Sequence, residues 1–350
     1  MTVTPAAPTT APVASNGAKP YLVVKNLVKE FPVTKGAVLQ RRVGAVHAVS
    51  DVSFEVKPGE TFGLVGESGC GKTTTGRMIV ALEPPTSGSI VINGDDIATM
   101  SKGKLRTKRR DMQMMFQDPY ASLDPRMRVV TILREPLAIQ GIGNKKQQTD
   151  RCAELLNDVG LARGALERYP HEFSGGQRQR IGLARALALN PNLIVADEPV
   201  SALDVSIRSQ ILNMMNNLQE KYGLTYVIIS HDLSVVKYMS DRIGVMYLGK
   251  MVEIGTGAEL YSQPAHPYTR GLVSAIPIPD PDIERSKEMD APKGELPSAI
   301  NPPSGCRFRT RCPLAQQLCA EQEPPLRLFG PNHLAACHFP LRPPLETAAA

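Results

Sequence analysis

Gly66-Glu67-Ser68-Gly69-Cys70-Gly71-Lys72-Thr73-Thr74 decides how this chain is read. The apolar run Thr61-Phe62-Gly63-Leu64-Val65 in front of it reads as a buried strand, and Thr75 to Leu82 behind it reads as a helix. The pattern G-x-x-x-x-G-K-[ST] between strand and helix is a phosphate-binding loop. Its glycines let backbone N–H groups curl into a concave anion nest with no Cβ in the way. The start of the helix adds the positive end of its dipole. Lys72 is placed to reach β- and γ-phosphate oxygens, and the Thr73 hydroxyl to ligate Mg²⁺. The expected ligand is a nucleoside triphosphate.

Further along, Leu193-Ile194-Val195-Ala196-Asp197-Glu198 is an all-apolar strand ending in two acids. Asp197 is expected to hold Mg²⁺, and Glu198 to polarise an attacking water. Ser201-Ala202-Leu203-Asp204 follows closely. Another apolar strand, Thr225 to Ile229, ends in Ser230-His231-Asp232. That puts His231 at the C-terminal edge of a parallel strand, where open α/β sheets bind ligands. Asp111 to Phe116 reads as a Met-rich core strand ending at Gln117-Asp118-Pro119. From Tyr120 to Asn190 the period becomes helical, as in Thr131 to Leu137, Asp150 to Val159 and Gln177 to Leu189. Within that block, Phe173-Ser174-Gly175-Gly176-Gln177 places Ser174 as an N-cap. The following glycines leave N–H groups free for a second anion.

Upstream, Tyr21 to Val24 reads as a short strand, Phe31 falls in a loop, and Val33 to Arg42 has no clear pattern. Val46 to Val56 alternates as strands do, Lys57 to Glu60 is a turn, and Ser89 to Asp95 is a strand entering a turn. Met1 to Lys19 is rich in Ala, Thr and Pro and lacks the layout of a secretory signal. It is expected to be disordered, and the chain to stay in the cytosol. With 350 residues the chain holds two domains, or one with appendages. Its 42% hydrophobic and 21% charged residues are ordinary for a soluble protein. No apolar run approaches the roughly 18 residues of a membrane span. Net charge is +6, with Lys102, Lys104, Arg106, Lys108, Arg109 and Arg110 in one run. No aromatic residues interleave that run for base stacking, which favours a solvated or membrane-facing surface over nucleic acid.

Near the end, His266-Pro267-Tyr268-Thr269 follows a β segment, and Ile276 to Pro303 is a Pro-rich linker. Cys306, Cys312, Cys319 and Cys337 then follow at C-x5-C-x6-C-x17-C, four of the six cysteines in the chain. A reducing compartment disfavours disulfides, leaving packed thiols or a metal centre. Spacing alone does not choose between zinc and an iron–sulfur cluster, and His333 or His338 can replace a thiolate.

The joint order of phosphate loop, glutamine loop, signature, acid pair, aspartate loop and histidine switch resembles the ATP-binding subunit of ABC transporters, over roughly Tyr21 to Gly255. The resemblance implies an α/β fold: a P-loop NTPase core with a mixed sheet, an antiparallel β subdomain, and a helical insertion carrying the signature. It implies that Phe31 stacks on adenine and that Gly66, Glu67, Ser68, Gly69, Cys70, Gly71, Lys72, Thr73 and Thr74 bind phosphates. Thr73, Gln117 and Asp197 would serve Mg²⁺, with Gln117 also sensing the lytic water where the transmembrane subunit docks. Ser174, Gly175, Gly176 and Gln177 would bind the ATP of a partner subunit. Glu198 would be the general base, Asp204 would lie at the dimer seam, and His231 would contact the γ-phosphate. Phe173 stands where such proteins usually have Leu.

The His-Pro-Tyr segment and Cys-rich C-terminal extension look like those of the dipeptide/oligopeptide importer ATPases, some of which carry a 4Fe–4S cluster there. That implies Cys306, Cys312, Cys319 and Cys337 as cluster ligands, with zinc the lesser candidate. It also implies a peptide substrate, a second and different paralogous ATPase subunit, two transmembrane permease subunits, an indirect extracytoplasmic peptide-binding protein, and no nucleic acid. The place implied is peripheral, on the cytoplasmic face of the bacterial inner membrane. The expected division is a tail over 1–19, an ATPase domain over 20–265 with its helical part at about 120–190, and the extension over 266–350. The expected function is ATP hydrolysis that powers uptake of di- and oligopeptides through ATP-driven dimer closure. The alternative is a soluble ABC-type ATPase acting on nucleic acid or ribosomes. Such proteins usually carry two ATPase domains or a long coiled coil before the signature, and this chain has neither.

Overall fold

The computed structural model describes residues 19–35, 41–118, 122–277, 280, 282, 285 and 294–345. The expected disorder of residues 1–18 and part of the expected linker (278–279, 281, 283–284 and 286–293) lie outside them. Strands β1 (Leu22–Lys35) and β2 (Arg41–Val56) pair antiparallel. β1 is far longer than its sequence suggests, and Phe31 lies on it, opposite Val46, rather than in a loop. Register shifts between Val24 and Leu27, Leu27 and Lys29, and Lys29 and Glu30 break the two-residue alternation there. A bulged strand of this kind escapes a pattern search.

After β3 (Thr61–Val65) come helix α1 (Lys72–Ile79), β4 (Ser87–Ile92) and β5 (Asp95–Asp96). β2-β1-β4-β5 form a four-stranded antiparallel sheet. Helix α2 (Lys102–Lys108) and strand β6 (Met112–Met115) lead into helices α3 (Val129–Ile139), α4 (Lys145–Asp158) and α5 (Gly175–Leu187). The chain re-enters the core through β7 (Leu193–Asp197), α6 (Val205–Tyr222), β8 (Thr225–Ser230), α7 (Leu233–Met239), β9 (Arg242–Tyr247) and β10 (Lys250–Thr256).

The second sheet runs β11-β12-β10-β9-β3-β8-β7-β6, where β11 is Leu326–Gly330 and β12 is His333–Ala336. Its strands from β9 to β6 are parallel. β3, β7 and β8 are buried at every position, so they read as continuous apolar runs rather than alternating ones. Val195, Val227 and Ile229 pack with Met78 and Ile79 of α1, while Ile194, Ala196, Tyr226 and Ile228 join the core that holds Val235 and Met239 of α7. Strand ends that carry chemistry are thus held between two apolar layers. β12 pairs with β10 through Glu253 opposite Ala335 and Ile254 opposite Leu334, so the C-terminal extension continues the core sheet.

The basic run lies at the surface, with no residue of α2 buried, yet four of its six side chains are bonded to neighbouring elements. Arg106 donates to the Ile139 carbonyl at 2.8 Å, Arg109 to Ala81 at 2.7 Å, and Arg110 to Gln140 at 2.7 and 2.8 Å. Lys108 is paired with Asp95 and Asp111 at 2.9 and 3.2 Å. These bonds fasten the helical block to the core. Among the described residues no helix is long and apolar enough to cross a membrane.

Candidate functional site

The loop after β3 turns on glycines at φ 150° (Gly66), 79° (Gly69) and 104° (Gly71). At Gly66 a Cβ would lie 2.1 Å from the Met246 carbonyl oxygen, and at Gly71 one would lie 2.2 Å from that of Ala48. Both positions therefore demand glycine. α1 starts at Lys72 with no capping side chain. The Lys72 N–H meets the Cys70 sulfur, and among the described residues no hydrogen bond takes up the N–H groups of Thr73 or Thr74. Unclaimed donors at a helix start make an anion site. The Lys72 ammonium folds back onto the carbonyls of Gly66 (2.7 Å) and Glu67 (2.9 Å). Cys70 is fully buried, and that burial raises its thiol pKa, so it fills space and carries no reactive thiolate.

Opposite the loop, β7 delivers both acids. The Thr73 hydroxyl donates to Asp197 Oδ1 at 3.0 Å. Burial raises the Asp197 pKa, the neighbouring Glu198 charge adds to it, and the Thr73 bond opposes it. A buried carboxylate beside a hydroxyl suits a hard divalent cation. Glu198 adopts φ 47° and is fixed there by its N–H bond to the Ile229 carbonyl at 2.8 Å. Its carboxylate then sits between two partners. Gln117 Nε2 donates to Oε2 at 2.7 Å, and His231 Nδ1 lies 2.8 Å from Oε1. Residues 81 and 33 positions away in sequence thus meet on one oxygen pair.

Ser174 caps α5 as its sequence predicts. Its hydroxyl accepts from Gln177 N–H at 3.3 Å, and its own N–H goes to Gln177 Oε1 at 3.0 Å. Among the described residues no hydrogen bond joins 174–177 to the phosphate loop. Gly176 lies against α6, where a Cβ would come 2.5 Å from Ile207. Asp204 caps α6 without a side-chain bond, and both Asp204 and Val205 are exposed. Arg208 on α6 reaches Asp232 at 2.7 Å, tying this helix to the turn that carries His231. Phe31 is 37% exposed, with Lys29 Nζ 4.9 Å from its ring centre. A groove between strand layer and helical block, lined by Leu82, Met114, Phe116, Pro136, Gln179 and Arg185, opens beside Gln117.

Sequence reading misses what the extension brings to this site. Tyr268 on helix α9 (Pro267–Ser274; α8 is Gly257–Ser262) accepts the Glu67 N–H on its hydroxyl at 2.9 Å. Arg311 holds the Glu67 carboxylate at 2.7 and 3.0 Å. Beneath them lies a buried polar network. Glu253 accepts the N–H groups of Ala265 and His266 and meets His333 Nε2 at 2.5 Å. Arg342 lies 2.5 Å from His333 Nδ1; since arginine only donates, Nδ1 accepts and Nε2 carries the proton. His333 is therefore committed away from the cysteines. Burial pushes His266 down to about 4, and its neutral Nδ1 accepts the Tyr268 N–H at 3.0 Å.

Among the described residues no group of three or more His, Cys, Asp or Glu side chains is gathered to hold a metal ion. Burial raises the pKa of Cys306 and Cys312, the former to about 11, and Cys337 to about 12. Backbone N–H groups of Phe308, Leu314 and Phe339 oppose that rise on Cys306, Cys312 and Cys337 in turn, and neighbouring tail thiols add a smaller upward push, Cys337 feeling Cys306, Cys312 and Cys319.

Residues 49–201 match the ABC transporter family, and residues 252–319 match the oligopeptide/dipeptide transporter C-terminal region. The chain is 52% identical over 319 residues to the oligopeptide transport ATP-binding protein AppF of Bacillus subtilis, covering 91% of this chain and 97% of that one. It is 55% identical over 321 residues to the putative oligopeptide transport ATP-binding protein YkfD of the same organism, covering 91% and 95%. Among solved structures it is similar to the dimeric, ADP- and phosphate-bound post-hydrolysis state of the ATP-binding cassette MJ0796. There the TM-score is 0.59 at 29% identity, covering 67% of this chain and 98% of that one.

Proposed function

The chain belongs to the ATP-binding subunits of the oligopeptide and dipeptide ABC transporters, and from that premise we propose that it hydrolyses MgATP to power import of di- and oligopeptides. The observation that carries this is the Glu198 carboxylate, held between Gln117 and His231 one residue beyond the Asp197–Thr73 contact. In this reading the open N–H groups of α1 take the phosphates, and Lys72 exchanges its two carbonyl partners for β- and γ-oxygens. Thr73 and Asp197 hold Mg²⁺ with Gln117 at its edge; the ion supplies charge neutralisation on the phosphates. Glu198 takes the proton of the attacking water, oriented by Gln117, while His231 reaches the γ-phosphate. Phe31, two strand positions from where β2 meets Gly71, stacks on adenine.

Ser174 to Gln177 and Asp204 face outward and serve the nucleotide of a second, paralogous ATPase subunit. That the related cassette is dimeric with ADP and phosphate bound supports this arrangement. ATP then favours the closed pair, and loss of the γ-phosphate removes that differential affinity. Two permeases dock at the groove beside Gln117, a peptide-binding protein acts from the far side, and the chain sits peripherally on the cytoplasmic face of the bacterial inner membrane. The working division is 1–19, 20–265 and 266–350.

For the tail the reading is a 4Fe–4S cluster on Cys306, Cys312, Cys319 and Cys337. Mutual electrostatic contact of the four thiols supports it. Anaerobically purified protein should be brown and carry iron; colourless, iron-free protein overturns the cluster. The transport reading is tested by reconstituting the complex in liposomes with its binding protein. ATP-dependent uptake of labelled di- or oligopeptide is expected. Hydrolysis stimulated by RNA or DNA, without peptide uptake, contradicts it.

A further inference from the structure

Glu67, directly after the first loop glycine, is gripped from the far end of the chain. Its N–H donates to the Tyr268 hydroxyl, its carboxylate takes both Arg311 nitrogens, and its carbonyl holds Lys72. The segment Cys306 to Cys312 is fastened to the core at three points, the last of them on the loop itself. Arg307 donates to Ser50 Oγ at 2.9 Å and to the Leu248 carbonyl. Phe308, 2% exposed, packs at 5.2 and 5.4 Å from the rings of Tyr247 and Tyr268. The Arg311 side chain is 8% exposed, lies 5.8 Å from the Tyr247 ring centre, and closes a fork onto Glu67. A bidentate fork fixes both position and orientation.

The charge matters as much as the geometry. A carboxylate in a loop built to receive a polyanion repels its ligand unless it is neutralised. Resting on the ATP-binding reading above, we propose that Arg311 and Tyr268 are positioning residues of the nucleotide site, which hold the phosphate loop through Glu67 and cancel its charge. The C-terminal extension is then a component of the ATP site, contributed from behind.

The test uses the full chain assembled with its membrane partners, reading MgATP affinity with a fluorescent ATP analogue and turnover by phosphate release. Arg311→Ala should raise Kd and KM for ATP about tenfold, with kcat within about twofold, because an unpaired Glu67 charge is left beside the phosphates. Glu67→Gln added to Arg311→Ala removes that charge and should bring Kd back to within about threefold of the parent. A residue that merely docks the extension gives no such rescue. An unchanged Kd for Arg311→Ala overturns the proposal, as does a double variant as weak as the single one. Should Arg311→Ala not assemble, Arg311→Gln keeps more of the side chain and is read by the same two outcomes. If the parent complex itself fails to bind MgATP, the ATP reading has failed and not this one.

Discussion

Two helices in this molecule begin beside glycines, and they begin in opposite ways. α1 starts after Gly71 with no capping side chain, its Thr73 hydroxyl on Asp197 and its Lys72 ammonium on the Glu67 carbonyl, and Glu67 in turn is held by the extension. α5 starts at Ser174 with a closed capping box, exposed and bonded to itself. The uncapped start is costly for a lone chain and implies a ligand that repays it. The capped start is closed on itself, and among the described residues no hydrogen bond joins it to the chain's own phosphate loop. In the proposed reading one end is the primary phosphate site, and the other is half of a partner subunit's site.

The sharpest way to break this contrast is at Glu198. Glu198→Gln should cut ATP hydrolysis by the assembled complex about a thousandfold with MgATP affinity kept, since a positioned base is worth that much. A surviving rate would mean that the Gln117–Glu198–His231 contact is structural. Next in size is Lys72→Ala, expected to weaken MgATP binding about a hundredfold by loss of a charged hydrogen bond. Equilibrium binding on the complex reads it.

A third prediction concerns what lies under the α1 end. His266 is buried and its folded pKa, about 4, is below the unfolded value. Below the unfolded pKa the unfolded chain takes a proton that the folded chain refuses, so this contribution falls as pH drops from about 6.5 toward 4. Stability at pH 5 should be about 2 kcal/mol below that at pH 7.5, by denaturant melts, and His266→Asn should flatten the slope. An equal slope in the variant places the acid sensitivity elsewhere. The smallest effect belongs to the capped start. Ser174→Ala should cost about 1 kcal/mol of stability and leave ATP affinity of the isolated chain intact. Weakened ATP binding by the isolated chain would mean that α5 serves its own loop.

The same contrast explains what could be read in advance. Gly66 to Thr74, Asp197-Glu198 and Ser174 to Gln177 are local patterns complete within a few neighbours, and all three lie at the strand ends and helix starts that their spacing predicts. Phe31 was unreadable as part of a strand because bulges around Asn26 and Lys29 erase the alternation. The basic run looks like open surface until Arg110 and Arg106 are seen reaching the end of α3. Glu67 and Arg311 are 244 positions apart, and nothing in either segment announces the other. Pairings made only by a completed sheet, such as β12 on β10, leave no trace in local pattern.

The account stands or falls on the nucleotide site being shared between chains. The rate of ATP release from the Glu198→Gln protein measures this directly, compared between the isolated dilute chain and the assembled complex in Mg²⁺. Release slowed at least about tenfold in the complex is predicted, because closure adds the partner's donors to the same phosphates. Equal release rates would contradict it.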